Sequence, residues 1–474
     1  MSQENLVPNS RGQWSSKAGF ILAAAGSAIG LGNIWRFPYM AGENGGSAFI
    51  IIYIAFVFII GLSIMIAEFA VGRKSNIAAV GAFKNHSKNW TFVGVLGVLS
   101  AFFIMGFYPV VGGWAIAYVF KTFTSLFSDP NNISNSFDVF IKSPVEPLAW
   151  MFGYLILNVF IVAKGIDKGI EKAGKILMPT LFILLILLAI RSITLPGSMP
   201  GIEFLFKPNF SLVKGETFLA ALWQAFFSLS IGMGCMITYG SYLKKDEKLA
   251  ENAAIITGMD TFISLLAGLA IFPALFAFGM KPAAGPGLVF VVVPSIFAQM
   301  GNLGILFSAI FFIALTVAAL TSSVSLLEVV AAYLIDQRKI NRKVAVCISS
   351  CIMLIMCIFS SLSLGLMSDF KILGVTAFDF FDILTDKIFL AIGGMLLAIF
   401  VGWFLKKEDL EKELTNDGTI KFRFFVIWYY LIKYIIPIAI AIVAIMGILS
   451  IKQTGLMIFG LSVILLLGIS SRKL

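Results

Sequence analysis

The chain contains apolar runs that are long enough to cross a lipid bilayer. Residues 49–71 read FIIIYIAFVFIIGLSIMIAEFAV and residues 456–469 read LMIFGLSVILLLGI. One crossing takes about 20 apolar residues. Charged residues make up 13% of the 474 residues, about half of the roughly 25% that is usual in soluble domains. The sequence therefore predicts an all-α integral membrane protein. Disordered and coiled-coil proteins need more charge, and barrel strands alternate apolar with polar residues.

Twelve apolar segments are predicted to span the membrane. They lie near residues 17–40, 46–72, 91–122, 147–165, 173–191, 217–243, 252–279, 300–335, 344–366, 376–404, 425–449 and 455–471. An even number of spans places both termini on the same side.

The distribution of basic residues predicts which side that is. Lys and Arg in the loops and adjoining span ends number 20 after the even-numbered spans and 8 after the odd-numbered spans. Basic residues accumulate in cytoplasmic loops. Both termini are therefore expected in the cytoplasm, with the protein in the plasma (inner) membrane. The net charge of +10 is explained by this bias, and no nucleic-acid partner is expected.

The cysteines and the single histidine suggest no metal or redox site. Cys235, Cys347, Cys351 and Cys357 fall in or at the ends of apolar segments, so buried structural thiols are expected. His86 falls in the first inner loop. The first 16 residues are polar, and no signal peptide is recognised.

Two spans carry small and polar residues where a continuous helix does not need them. The first span has Gly26, Gly30, Gly32 and Asn33, and the sixth has SLSIGMG at 228–234. Close helix packing through small residues is one explanation. The two sites are five spans apart, in segments that run in opposite directions, and this favours a 5+5 inverted repeat with discontinuous helices 1 and 6.

A break in a helix frees backbone groups that can bind ligands. Freed carbonyls can coordinate a hard cation such as Na⁺, and freed N–H groups at a half-helix N-terminus suit a carboxylate. Asn33, Ser228 and Asp260 supply further oxygen ligands, and a carboxylate within a span is expensive unless it has a partner. Span 8 adds the hydroxyls of Thr321, Ser322 and Ser323, although each could instead bond back to its own helix. A cavity for a small zwitterion beside bound Na⁺ is therefore expected.

Motifs along the chain carry a resemblance to a known family. GSAIGLGNIWRFPYMAGENGGSAF (26–49) resembles the first-span signature of the neurotransmitter:sodium symporter family. Matching segments are AEFAVGR (67–73), FYPVVGGW (107–114), QAFFSLSIGMG (224–234), ITYGSY (237–242), GPGLVFVVVP (285–294), LTSSVSLLE (320–328) and FDFFD (378–382). The chain is most similar to bacterial sodium-coupled transporters of hydrophobic amino acids. The resemblance implies the leucine-transporter fold and uptake driven by the sodium gradient.

The resemblance implies two sodium sites. One would use the backbone of Gly26, Ile29 and Ala318 with the hydroxyls of Thr321 and Ser322. The other would use Ala28, Asn33, Ser228, the span-7 residue Asp260 and the substrate carboxylate.

Asp260 stands where many relatives have Asn, and this has a consequence for chloride. Tyr53, Gln224, Ser228 and Ser264 match the chloride pocket of chloride-dependent members. An ionised Asp260 would repel a second negative charge there. No chloride requirement is therefore predicted.

The resemblance also places the substrate between spans 1, 3, 6 and 8. Its carboxylate would be held by the backbone of Leu31 and Gly32 with the Tyr108 hydroxyl, and its amino group by the half-helix around Phe227, Ser228 and Ser230. Ile104, Phe227, Met233 and Leu326 would line the side-chain pocket, and Ala28 and Ser322 complete the predicted site. Because the residues that line this pocket are uncharged, a substrate with a charged side chain would lose its hydration without gaining an ionic partner. Met233 favours large aliphatic or aromatic amino acids, and an aliphatic-only preference is the competing interpretation.

Two gates and a flexible helix complete the expected machinery. Arg36 with Asp382 matches the outer gate, with Gln224 beside it and Phe227 as the lid. Arg11, Trp14, Tyr242 and Asp336 match the inner latch. Gly169 and Pro179 in span 5 match a segment that unwinds to admit water to the second sodium site.

The chain is divided accordingly. Residues 1–16 form the cytoplasmic N-terminal segment, 17–191 the first repeat, 192–216 an extracellular loop, 217–404 the second repeat, and 405–474 a cytoplasmic loop with spans 11 and 12 and a short tail. A monomer or weak homodimer is expected.

The predicted function is sodium-coupled import of hydrophobic L-amino acids by alternating access. A channel usually needs symmetric rings of ligands, and an intramembrane enzyme would need a metal triad, Ser/His pair or acidic dyad that the spans lack. The sequence keeps the residues that match the sodium sites and both gates, and this argues against a sensor that has lost transport activity. A proton-coupled carrier, with Asp260 titrating, and a sodium symporter for another zwitterion remain the alternatives.

Overall fold

A computed structural model describes residues 12–127, 132–280, 285 and 287–471. In these ranges almost all regular structure is helical, and the one extended pairing is the isolated bridge between Ile372 and Val375.

Nine continuous helices in the described ranges are long and apolar enough to cross a membrane. They are Ser47–Ser75, Lys88–Thr124, Glu146–Ala163, Ile166–Ile193, Leu249–Ala277, Asn302–Arg338, Arg342–Leu362, Ala377–Phe404 and Phe425–Leu449, which correspond to predicted spans 2–5 and 7–11. The twelfth predicted span is the apolar helix Thr454–Ser470. Shorter helices lie between the spans: Ala79–His86, Ile133–Lys142, Met199–Phe206, Leu288–Gln299 and Lys407–Thr415.

Spans 1 and 6 are broken, as the glycine pattern predicted. Span 1 consists of Lys17–Ala28 (span 1a) and Gly32–Glu43 (span 1b), with a bend of 49° between them. Span 6 consists of Gly215–Ser228 (span 6a) and Cys235–Gly240 (span 6b). The fold class predicted from the sequence, an all-α membrane protein with discontinuous helices 1 and 6, is confirmed.

The break in span 6 depends on left-handed backbone. Ser230, Gly232 and Gly234 have φ angles of 52°, 80° and 75°. Glycine adopts this region without a steric penalty, whereas serine does not. The Ser230 hydroxyl donates to the Ser27 carbonyl at 2.7 Å, so a contact with span 1 stabilises the unfavourable backbone of span 6.

Span 3 has a local irregularity that the hydropathy pattern did not predict. Its α-helical turns stop at Ile104 and resume at Tyr108. Span 9 satisfies carbonyls exposed there: the Cys357 thiol donates to the Met105 oxygen at 3.1 Å, and the Ser360 hydroxyl donates to the Gly106 oxygen at 2.7 Å. The irregularity places Tyr108 at the start of a helical segment that faces the break in span 1.

The cysteine prediction is correct for two residues and wrong for two. Cys235 and Cys357 are buried, whereas Cys347 and Cys351 are exposed. The exposed pair lies on span 9 beside the exposed side chains of Val344, Ile348 and Ile352. An apolar segment indicates side chains that are kept away from water. In a membrane protein such side chains can contact lipid instead of other helices.

Span 1a contacts spans 5, 7 and 8, and the halves of span 6 pack against span 2. Span 6a also contacts span 1b, and the bond from Ser230 to Ser27 shows that the two breaks meet inside the helical bundle. Span 5 begins with a π-helical turn, Ile166–Glu171, and then runs as an α-helix from Lys172 to Ile193 with Pro179 inside it. The Gly169–Pro179 segment is thus wound in this conformation.

Candidate functional site

A buried cluster of polar side chains joins spans 1, 2, 6 and 7. The Ser228 hydroxyl lies 2.9 and 2.8 Å from the two carboxylate oxygens of Asp260. Asn33 Nδ2 donates to Asp260 Oδ1 at 2.8 Å and lies 2.8 Å from the Ser264 hydroxyl. The Tyr53 hydroxyl donates to Asp260 Oδ2 at 3.3 Å. Predicted sodium ligands from three spans therefore come together around one carboxylate.

The partners of Asp260 are neutral. No Lys, Arg or His within the described residues forms an ion pair with it, and Asp260 has no exposed surface. An uncompensated buried charge is strongly unfavourable. The oxygen-rich surroundings and the missing positive charge fit a hard monovalent cation.

Spans 1 and 8 approach closely at the second predicted sodium site. A Cβ added at Gly26 would lie 3.0 Å from Thr321 Cβ, and one at Gly30 would lie 2.8 Å from Ser322 Cβ. The Gly30 N–H donates to Asn33 Oδ1 at 2.9 Å, so it is not used by the Gly26 carbonyl four residues earlier. The Thr321 hydroxyl meanwhile lies 3.0 Å from the Ala318 oxygen on its own helix. Spans 1 and 8 are therefore in contact here, and Thr321 is bonded back to span 8.

A small cavity lies beside the breaks. Its volume is about 20 Å³ and its lining consists of Ala28, Gly30, Gly32, Ile104, Tyr108, Phe227, Ser230, Met233, Ser322 and Leu326. Nine of the eleven predicted substrate-binding residues are in this lining.

The other two predicted substrate-binding residues are beside the cavity. The Leu31 N–H donates to the Tyr108 hydroxyl at 3.1 Å, so it borders the polar end of the cavity. Ser228 bonds to Asp260, and its hydroxyl belongs to the polar cluster. Gly30, which the sequence analysis did not assign to the substrate, lines the cavity.

The outer gate has a different acidic partner from the one predicted. Arg36 binds Asp386 with its two terminal nitrogens, at 2.7 and 3.2 Å, so the predicted Arg36–Asp382 pair is wrong for this conformation. The two aspartates are one helical turn apart on the same face of span 10, and Arg36 lies at the level of Asp386. The guanidinium also lies 4.6 Å from the centroid of the Phe227 ring, which places the predicted lid beneath the ion pair.

Gln224 lies next to this gate. Its Nε2 donates to the Gly32 carbonyl at 2.8 Å, so it links span 6a to the start of span 1b. This contact is consistent with its assignment to the gate. The sequence also matched Gln224 to the chloride pocket. Among the described hydrogen bonds, however, Gln224 forms none with Tyr53, Ser228 or Ser264.

The inner side is closed by contacts of the N-terminal segment. Trp14 is buried, and its indole N–H donates to the Tyr239 carbonyl at 3.0 Å. The Tyr242 hydroxyl donates to Glu328 at 2.7 Å, and Asp336 accepts the Ala78 N–H at 2.8 Å. Arg11, the remaining predicted latch residue, lies outside the described residues.

Two buried glutamates have roles that the sequence analysis missed. Glu68 Oε1 accepts the Gly232 N–H at 2.7 Å, so it satisfies backbone freed by the break in span 6. Glu328 binds Arg342 at 2.7 and 2.9 Å in addition to Tyr242. Both residues occur inside the quoted motifs AEFAVGR and LTSSVSLLE, and an acidic residue in a span was the available signal.

Comparison with known proteins identifies the family. Residues 11–139 and 140–460 match the family described as SNF, the Sodium:neurotransmitter symporter family. The chain belongs to this symporter family. The resemblance noted in the sequence is therefore confirmed.

Relatives and a solved structure agree with this assignment. The symporter is 40% identical to the sodium-dependent transporter YhdH of Bacillus subtilis over 444 residues, which are 92% of this chain and 98% of that protein. It is 30% identical to the sodium-dependent serotonin transporter of Drosophila melanogaster over 390 residues, 72% of this chain and 62% of that one. The crystal structure of MhsT in complex with L-phenylalanine matches with 45% identity and a TM-score of 0.85, covering 92% of this chain and all of that one.

These findings establish the general activity. The symporter is a multi-pass membrane protein of a sodium-dependent transporter family, and this family is not one of enzymes. The choice of substrate, the number of sodium ions and the role of chloride depend on the geometry described above.

Proposed function

We propose that this symporter couples the inward movement of Na⁺ to the import of large hydrophobic L-amino acids and needs no chloride. The observation that carries the proposal is a cavity with one polar end and one apolar end, next to a buried carboxylate whose partners are neutral. The two ends of the cavity match the polar and apolar parts of a hydrophobic zwitterion, and the carboxylate matches a sodium ion.

The first sodium ion would bind between Asp260, Asn33 and Ser228. Amide, hydroxyl and carboxylate oxygens are hard ligands that suit this cation. Asn33 directs its amide nitrogen at Asp260 in the observed arrangement, so a rotation of that amide would present its oxygen to the ion. The Ala28 carbonyl and the substrate carboxylate would complete the shell, which makes sodium and substrate binding interdependent.

The second sodium ion would bind between spans 1 and 8. The carbonyls of Gly26, Ile29 and Ala318 and the hydroxyls of Thr321 and Ser322 are its proposed ligands. The ion would replace the bond of Thr321 to its own helix. Because these ligands belong to two helices, binding would hold spans 1 and 8 in one relative position.

The substrate carboxylate would meet the Tyr108 hydroxyl and the N–H groups of Leu31 and Gly32. These donors already lie together, since Leu31 N–H and Tyr108 are 3.1 Å apart. The amino group would face the break in span 6 near Phe227 and Ser230. Backbone donors at the start of a half-helix suit an anion.

The substrate side chain would lie among Ile104, Phe227, Met233 and Leu326. No charged residue lines this cavity in the described part of the chain, so a charged substrate side chain would lose its hydration without compensation. The cavity is closed to about 20 Å³, so the residues that line it must move apart before a substrate can bind. Methionine adapts its shape easily and packs well against aromatic rings.

Chloride independence follows from the position of Asp260. Its carboxylate contacts the hydroxyls of Tyr53 and Ser228, and Ser264 lies against the same cluster. A chloride ion bound among these hydroxyls would be in contact with a carboxylate. The carboxylate supplies the negative charge that would otherwise come from chloride.

Alternating access would depend on opening the two gates in turn. The Arg36–Asp386 pair with Phe227 closes the outer side, and Trp14 packed on Tyr239 closes the inner side. With both in place the cavity is occluded. We propose that both termini are cytoplasmic in the plasma (inner) membrane, so that opening at Trp14 releases the cargo inward.

Uptake into proteoliposomes tests the proposal. Labelled Phe, Leu, Tyr and Trp are compared with Glu, Lys and γ-aminobutyrate, with and without an inward sodium gradient, in chloride and in gluconate. We expect sodium-dependent uptake of the hydrophobic set at equal rates in the two anions.

The alternatives predict different results. Uptake driven by a proton gradient in the absence of sodium supports the proton-coupled carrier, and uptake confined to aliphatic substrates supports the narrower pocket. Loss of uptake in gluconate contradicts chloride independence, and transport limited to charged amino acids or amines contradicts the substrate proposal.

A further inference from the structure

An open cleft rich in lysine lies where span 4 ends and span 5 begins. Its volume is about 610 Å³ and its lining is Lys164, Asp167, Lys168, Lys172 and Lys175. All four lysines are exposed, so four ammonium groups and a single carboxylate share this surface. None of these side chains lines the candidate substrate cavity or belongs to the polar cluster around Asp260.

Most of this positive charge is not neutralised by the protein. Lys175 forms an ion pair with Glu171 at 2.7 Å. Within the described residues no carboxylate lies at ion-pair distance from Lys164, Lys168 or Lys172. Like charges held close together repel each other, and an anion placed among them removes that repulsion.

The surroundings of the cleft place it at the surface of the bilayer. The Lys164 ammonium lies 3.6 Å from the centroid of the Phe160 ring, and Phe160 is 60% exposed on span 4. Ile176, which follows the last lysine of the cleft, is 57% exposed. Exposed apolar side chains on spans face lipid chains, and lysines at span ends extend toward the headgroups.

We propose that this cleft, defined by Lys164, Lys168, Lys172 and Lys175, binds the phosphate-bearing headgroup of an anionic glycerophospholipid. The ligand chemistry is a phosphate diester, which ammonium groups bind through charge-assisted hydrogen bonds. A lipid is favoured over a soluble anion because the apolar faces of Phe160 and Ile176 continue from the cleft along the spans. Acyl chains attached to the headgroup would cover these faces.

Lys175 connects the cleft to the N-terminal segment. Its partner Glu171 is buried and accepts the Ser15 N–H at 2.7 Å and the Ser16 hydroxyl at 2.9 Å. A headgroup at Lys175 would therefore lie next to the carboxylate that holds the segment carrying Trp14. For this reason the test variant leaves Lys175 unchanged.

The test measures lipid retention by native mass spectrometry of the full-length protein in detergent. Wild type, K164Q/K168Q/K172Q and the control K244Q/K245Q/K248Q are titrated with phosphatidylglycerol, with phosphatidylcholine of the same acyl chains, and with inorganic phosphate. The control removes three lysines from the loop after span 6, so both variants lose the same charge.

We expect wild type to bind phosphatidylglycerol more tightly than phosphatidylcholine. The cleft variant should lose affinity for phosphatidylglycerol by about fivefold for each lysine removed, the equivalent of about 1 kcal/mol per basic residue near an anionic surface. The control should stay within about twofold of wild type, and K168Q alone should show about a fivefold loss. Sodium-dependent thermal stabilisation should be the same in all variants, which verifies folding.

Three results would overturn the proposal. The first is undiminished binding of phosphatidylglycerol by the cleft variant and by K168Q. The second is an equal loss in the cleft variant and the control, which would show a general effect of net charge. The third is displacement of phosphatidylglycerol by an equal concentration of inorganic phosphate, which would identify a soluble anion as the ligand.

Discussion

At the scale of single residues, a few buried polar groups determine what this symporter can bind. Asp260 is surrounded by neutral donors and has no cationic partner among the described residues, and this is the basis on which we propose it as a sodium ligand. Gly30 lacks a side chain where spans 1, 3 and 8 meet. Both features are local, and single substitutions can test each of them.

Replacing Asp260 by Asn should weaken sodium binding. The change keeps the size of the side chain and removes the charge, and we expect the sodium concentration for half-maximal uptake to rise by at least tenfold. Chloride should begin to stimulate uptake, because the negative charge among Tyr53, Ser228 and Ser264 is then missing. Uptake of labelled phenylalanine against sodium, in chloride and in gluconate, measures both effects.

The matched control is Asp246→Asn, which removes one charge from an exposed position in the loop after span 6. It should behave as wild type. An Asp260→Asn protein with unchanged sodium dependence would refute the assignment of Asp260 to the sodium site.

Replacing Gly30 by Ala should prevent substrate binding. The added Cβ would lie 2.8 Å from both Ser322 Cβ and the Tyr108 hydroxyl, and overpacking of this kind typically costs about 1–3 kcal/mol. We expect substrate affinity, measured by scintillation proximity binding, to fall by about tenfold or more. Gly153→Ala is the control, since nothing lies within 4 Å of its Cβ position. Equal affinity in the two variants would contradict the position of the substrate carboxylate.

At the scale of elements, the broken helices of spans 1 and 6 and the charged or proline-containing segments of spans 10 and 5 are the features expected to change conformation during transport. Spans 1 and 6 are interrupted where they face each other, and span 10 carries two aspartates one turn apart. Span 5 is continuous but contains Pro179, which removes a backbone hydrogen-bond donor and weakens the helix before it. Each feature predicts a different kinetic step.

Replacing Pro179 by Ala should slow the release of sodium to the inside. An uninterrupted helix is harder to unwind, so we expect a lower rate of sodium-dependent exchange in proteoliposomes with little change in equilibrium substrate binding. Pro273→Ala, at the proline inside span 7, is the control and should not reproduce this pattern. An unchanged exchange rate in Pro179→Ala would count against a role for span 5 in release.

Replacing Asp386 by Asn should loosen the outer gate. Arg36 and Asp386 form a two-point contact with side chains that are only 12% and 10% exposed, and removing one partner of a buried pair leaves the other without compensation. We expect bound substrate to escape to the outside at least tenfold faster in a washout experiment. Asp382→Asn should have a smaller effect, and a larger effect of Asp382→Asn would restore the pair suggested by the sequence.

At the scale of the whole molecule, orientation in the membrane decides which gate faces the cytoplasm. Basic residues are concentrated in the loops after the even-numbered spans, and the lysine-rich cleft lies on that same side. The inner latch formed by Trp14, Tyr239 and Tyr242 also lies there. In the proposed orientation, the cleft and the contacts of Trp14 both face the cytoplasm.

Labelling of single cysteines in right-side-out vesicles should verify this orientation. In a background with Cys347→Ser and Cys351→Ser, we expect Lys371→Cys to react with an impermeant maleimide in intact vesicles. Lys244→Cys should react only after permeabilisation. Both positions are exposed, so the comparison depends on sidedness. The reverse pattern would place both termini outside the cell.

Much of the fold could be predicted from the sequence. Twelve apolar segments, the two interrupted spans and the family motifs follow directly from local composition, because lipid demands long apolar helices and tolerates irregular backbone only where polar groups satisfy it. The division into repeats at 17–191 and 217–404 stays a prediction. Most residues that line the candidate cavity could also be named from the motifs, and their role in substrate binding stays a prediction.

The failures have a common physical cause. The partner of Arg36 depends on the register of span 10, and Asp382 and Asp386 are both plausible until that helix is placed. The exposure of Cys347 and Cys351 depends on which face of span 9 meets lipid. The irregularity in span 3 depends on Cys357 and Ser360, which are more than 250 residues away.

The sequence by itself determined that this chain enters the membrane, where its helices break and which family it belongs to. These properties come from short stretches of chain and their preference for lipid or water. The tertiary structure decided which carboxylate pairs with Arg36 and how neutral donors surround Asp260. These properties depend on distances between spans, and such distances arise only when the helices have packed.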